Sequence, residues 1–124
     1  MKLILIMLLL HFFSDFTLQG LLIELKQKKW WEEMLPKYGL KDLGKYRYDY
    51  IAGITCHSLY WALITFLPLI SYEVWPGIVI TQAIAHGIID DLKANRGKLN
   101  LIEDQLLHLA QIVITWLIVT YVFC

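Results

Sequence analysis

Apolar residues occupy four long blocks of this chain, at about 3–25, 50–70, 74–93 and 101–123, and charged residues are pushed into the stretches between them. Each block is near the ~20 residues that a helix needs to cross ~30 Å of hydrocarbon. The third is interrupted by Pro76 and Gly77, and its apolar core, 74–89, reaches that length only by continuing through Asp90 to Lys93. The pattern predicts an all-α, polytopic membrane protein: one domain over 1–124, with four transmembrane helices in a bundle. A cleaved leader is the competing reading of the first block, but no small-x-small site follows it and the apolar run is too long.

Lys and Arg place the loops. Ten of the eleven fall in the 26–49 and 91–100 connections, and Lys2 alone lies on the other side. The positive-inside rule then puts both connections in the cytoplasm and both termini outside it, as expected for a multi-pass protein of the bacterial inner membrane. The 26–49 loop mixes Lys26, Lys28, Lys29 and Arg47 with Trp30, Trp31 and several tyrosines, which predicts an interfacial amphipathic segment lying among lipid headgroups.

Composition sharpens this picture. The chain is 58% hydrophobic and only 18% charged, below the quarter or so typical of soluble domains. Its formal net charge is zero, which gives no reason to expect a nucleic-acid partner. Cys56 and Cys124 fall in different parts of the predicted bundle and form no CxxC pattern, so no intramolecular disulfide is expected.

Polar residues inside the apolar blocks carry the chemistry. Each block holds one histidine: His11, His57, His86 and His108. Three have a carboxylate four residues away, Asp15 after His11, Asp90 after His86 and Asp104 before His108, so each pair shares a helix face. The fourth block reverses the order and, in the predicted topology, also reverses direction. Every carboxylate is therefore expected one turn, ~6 Å, closer to the cytoplasm than its imidazole. Gln19, Lys93, Gln105 and Gln111 extend the polar faces.

Ionisable groups in hydrocarbon are costly unless partnered, and a divalent cation is a suitable partner for imidazole nitrogen and carboxylate oxygen. The expected ligands are His11, Asp15, His57, His86, Asp90 and His108, with zinc as first choice and iron or manganese as alternatives. Asp104 is the expected general base or orienting group, Lys93 the group that meets an anionic or carbonyl substrate, and Gln19, Gln105 and Gln111 the outer supports of the ligands. The leading expectation is a metal-dependent membrane hydrolase acting on a lipid-like ester or phosphoester. The alternative is a proton or metal-ion transporter working as a homo-oligomer; a non-catalytic, phage-type membrane protein is a third class, which needs no such histidine set.

The blocks His11-x3-Asp15-x3-Gln19, His57, His86-x3-Asp90-x2-Lys93 and Asp104-Gln105-x2-His108 resemble a family of small bacterial and phage integral membrane proteins classed as a domain of unknown function. The resemblance spans nearly the whole chain and implies a membrane-embedded helical protein without implying an activity. In its embedded His/Asp blocks the chain is also faintly similar to membrane-bound metal-dependent hydrolases of the inner membrane.

Overall fold

The computed structural model describes residues 2–17, 20–40 and 44–123. Six α-helices are present among them: α1 (Lys2–Phe12), α2 (Leu22–Leu25), α3 (Lys28–Met34), α4 (Asp49–Thr65), α5 (Trp75–Ala94) and α6 (Leu101–Ile118). Two of these continue as π-helical turns, α1 through Phe13–Thr17 and α6 through Val119–Phe123. The long helices pack in a ring, α1 against α4 and α6, and α5 against α4 and α6.

Local signals explain the ends. Asn100 caps α6 in a reciprocal box: its side chain accepts from the Glu103 N–H, and the Glu103 carboxylate accepts from the Asn100 N–H, both at 2.9 Å, satisfying two donors that a helix start leaves open. Pro76 sits in the first turn of α5, where a missing N–H costs nothing. Pro68 follows α4 in a short 3-10 turn, Leu67–Leu69, as expected for a residue that cannot continue a helix.

The four-span expectation is corrected by these boundaries. Among the described residues one helix, Leu101–Phe123, is long and apolar enough to cross a membrane. Within the first block the described helical segments are Lys2–Thr17 and the separate four-residue α2, Leu22–Leu25, and α4 has 17 residues, each short of the ~20 a crossing needs. In α5, 20 residues long, Thr81, Gln82, His86, Asp90, Asp91 and Lys93 dilute the apolar content. The 26–49 loop is corrected too. Its α3 packs on α2 and α4, and Lys26, which the loop reading placed among headgroups, is buried in the protein.

Packing is polar at one end of the interior and apolar at the other. Met7, Trp61, Phe66, Leu69, Ile112 and Val119 form a core with almost no exposure. The buried histidines and aspartates lie beside it, while large apolar residues such as Leu9, Ile80, Ile84, Leu106 and Ile114 point outward. Large exposed apolar residues in such number suit contact with lipid or with another macromolecule. Cys56 is exposed and unbonded; Cys124 lies outside the described residues.

Candidate metal centre

The ring of helices brings His57 from α4, His86 and Asp90 from α5, Asp104 and His108 from α6, and Asp15 from the π turn after α1 into one buried cluster. The π turn matters locally because it carries Asp15 and Ser14 inward together, and such insertions recur at functional sites.

Nε2 of His57 lies 3.1 Å from Asp90 Oδ2, 3.2 Å from His86 Nε2 and 3.7 Å from Asp15 Oδ1. Nε2 of His86 lies 3.6 Å from Asp90 Oδ2, and Nε2 of His108 lies 3.7 Å from Asp90 Oδ1 and 3.3 Å from Asp104 Oδ1. Metal–ligand bonds of 2.0–2.2 Å place the ligand atoms of a tetrahedral zinc site roughly 3.3–3.6 Å apart. The observed separations straddle that range. Two groups, Asp15–His57–His86 and His86–Asp90–His108, have ligand atoms close enough to hold a metal ion, and because they overlap at His86 they describe one centre.

Hydrogen bonds orient three of the polar side chains. The Trp61 indole N–H donates to Nδ1 of His11 at 2.9 Å. An indole nitrogen can only donate, so Nδ1 is an acceptor and the proton of neutral His11 resides on Nε2, where it meets Gln105 Oε1 at 3.2 Å. The same Gln105 amide donates to Asp15 Oδ2 at 2.8 Å and to Asp104 Oδ2 at 3.2 Å, which independently requires its oxygen to face His11. Gln111 works in the same way: its amide donates to Gln82 Oε1 at 3.0 Å, so its oxygen accepts from His108 Nδ1 at 3.1 Å.

Gln111 thereby sets the tautomer of neutral His108. With the proton on Nδ1, the lone pair of neutral Nε2 points at the carboxylates of Asp90 and Asp104. Nε2 of His108 and Oδ1 of Asp104 are both fully buried and have no hydrogen-bond partner. A buried lone pair facing carboxylate oxygens is repulsive unless a cation joins them, either a proton or a metal ion.

The residues expected from sequence thus divide. Asp15, His57, His86, Asp90 and His108 meet as potential ligands. His11 stands beside them with both nitrogens engaged, at a ring-centroid distance of 5.9 Å from His108. Gln105 hydrogen-bonds Asp15 and Gln111 hydrogen-bonds His108, and Gln19 lies outside the described residues. Lys93 donates to Asp104 Oδ2 rather than standing apart from it.

Two participants were not expected. Lys26 Nζ donates to Asp90 Oδ2 at 2.8 Å with its side chain 11% exposed. Gly53 on α4 lets the Leu25–Lys26 backbone approach so closely that a Cβ there would collide with the Leu25 carbonyl. The Trp31 indole then donates to Leu25 O at 2.9 Å, and Asn95 Nδ2 donates to Lys26 O at 3.1 Å. The second is Trp61, stacked on His86 at 4.0 Å between ring centroids. Its aromatic character at an inward position of α4 gave no sign of this role, since core tryptophans are common.

A cavity of about 470 Å³ adjoins the centre and is lined by Asp15, Asp90, Asp104, Lys26, Lys93 and Gln105 together with five mostly apolar neighbours. The three carboxylates line it and the imidazoles do not. The carboxylates therefore stand between the cavity and the histidines, the order implied by the reversed spacing in α6.

Comparison with protein-family models, with curated proteins and with solved structures finds no match for this chain.

Proposed function

We propose that this is a membrane protein whose buried His/Asp centre binds one divalent metal ion, zinc first, and uses it to hydrolyse a lipid-like ester or phosphoester. The observation that carries the proposal is the convergence of three imidazole Nε2 atoms and the Asp15 and Asp90 carboxylates at 3.1–3.7 Å in a buried pocket. Structural hydrogen bonding between helices does not require so many acceptors to face one another. A divalent ion supplies Lewis acidity toward water and toward an ester oxygen.

Around it, Gln105 orients Asp15, Gln111 orients His108, and Lys93 holds Asp104 at the cavity wall. Asp104, facing both the cavity and His108, is placed to accept a proton from an incoming water. Lipid is the proposed cover of the apolar outer surface, with Leu101–Phe123 as the membrane-crossing element.

Transport is the weaker alternative. Beyond His108 and Gln111 the interior closes on Ile112, Phe66, Met7 and Val119, all buried and apolar. A pocket with one polar mouth suits a binding or catalytic centre better than a conduit.

The test is metal analysis of the detergent-purified protein beside His86→Gln. One equivalent of metal in the wild type, lost in the variant, is expected. Wild-type protein that takes up no stoichiometric zinc, iron or manganese refutes the proposal.

A further inference from the structure

The cavity beside the centre combines charges in a way that specifies its ligand. Three carboxylates, Asp15, Asp90 and Asp104, and two ammonium groups, Lys26 and Lys93, line one space. Lys26 and Lys93 are each paired to a different carboxylate. With neutral imidazoles these five groups sum to one net negative charge, and one divalent ion converts that to one net positive charge. Uncompensated charge in a poorly hydrated site is expensive, so the metal-loaded centre is completed by a monoanion.

We infer that the cavity binds a phosphodiester monoanion, with Lys26 and Lys93 donating to its non-bridging oxygens, and this inference rests on the metal reading above. A singly charged diester brings the site to neutrality, whereas a phosphomonoester, close to −2 at neutral pH, overshoots and a neutral carboxylic ester leaves the positive charge standing. Both ammonium groups belong to side chains already held at the cavity wall, Lys93 on the last turns of α5 and Lys26 on the backbone clamped by Gly53, Trp31 and Asn95. Charge-assisted donors fixed in this manner recognise phosphate oxygens with little ordering cost. The apolar part of the lining, Phe16, Ile23, Ala94 and Leu101, suits the organic substituents of a diester.

The probe is diethyl phosphate, titrated calorimetrically into zinc-loaded full-length protein in detergent, with neutral triethyl phosphate as the control. Saturable binding of diethyl phosphate, none of triethyl phosphate, and affinity reduced at least about tenfold in both Lys93→Gln and Lys26→Gln are expected, while Lys26→Arg retains binding. Lys93 is one-third exposed, so Lys93→Gln decides the matter should Lys26→Gln fail to fold. Zinc-loaded wild type that ignores diethyl phosphate, or binds it equally well in the folded glutamine variants, overturns this inference and leaves the metal centre standing. Wild type that takes up no zinc overturns both.

Discussion

Trp61 donates its indole N–H to Nδ1 of His11, 2.9 Å away, while its ring lies flat on His86 at 4.0 Å between centroids. One side chain of α4 therefore fixes the tautomer of an imidazole on α1 and the plane of another on α5. Trp61→Phe keeps an aromatic ring but leaves His11 Nδ1 buried and unbonded, a loss of about 1–3 kcal/mol. Denaturant titration of the variant should show that loss. Metal affinity should fall about 10- to 100-fold, as when an outer support of a ligand is removed; an unchanged affinity would dissociate Trp61 from the centre.

The two classes of histidine should respond differently to substitution. His11 has both nitrogens occupied by Trp61 and Gln105, whereas His57 and His86 aim Nε2 at each other and at Asp90. His57→Gln is expected to abolish stoichiometric metal, and His11→Gln to keep it with weakened affinity. Elemental analysis of both purified variants checks the difference, and equal loss from each would make His11 a ligand.

Removing the ammonium group at Lys26 leaves Asp90 buried without its closest cation. Breaking a buried pair from one side costs about 3–5 kcal/mol, so metal-free Lys26→Met should unfold at much lower denaturant than the metal-free wild type. Adding zinc should narrow the gap, because the ion takes over the compensation of Asp90. Paired unfolding curves with and without zinc test both halves of the expectation.

Gly53→Ala tests how Lys26 is delivered. A Cβ there meets the Leu25 carbonyl and the Lys26 amide, and α4 or the Leu25–Lys26 backbone must move. Overpacking of this kind costs about 1–3 kcal/mol. Hydrogen exchange should speed up in residues 22–31 of the variant and hardly change in α6; a uniform response would mean that this contact holds nothing in particular.

Chelation should act on stability as well as on activity. An ion that binds only the folded protein contributes about 2.7 kcal/mol when present at a hundred times its Kd. EDTA is expected to lower the thermal midpoint of zinc-loaded wild type and to leave His86→Gln unchanged.

Much of the centre was legible in the spacing of residues along the chain. His11–Asp15, His86–Asp90 and Asp104–His108 are four apart, and helix geometry alone puts each pair on one face. The reversed order in α6 foretold that the carboxylates would collect at one end, where they now line a single cavity. Block length was a poorer guide to the elements. It merged α1 with the turns that follow it and treated α5 as apolar, because a hydropathy pattern carries no information about where backbone hydrogen bonding changes from one helical form to another.

The sequence by itself determined that these helices would carry polar faces and that imidazoles and carboxylates would be staggered on them, since that follows from 3.6 residues per turn. Tertiary structure decided which of those groups meet. It drew Lys26 out of a basic run and onto Asp90, set His11 apart through Trp61 and Gln105, and fixed the amide of Gln111 through Gln82 of α5. Those outcomes depend on partners 64, 94 and 50 residues away for Lys26, His11–Gln105 and His11–Trp61, and contacts at such separations arise from packing between helices, which no local pattern encodes.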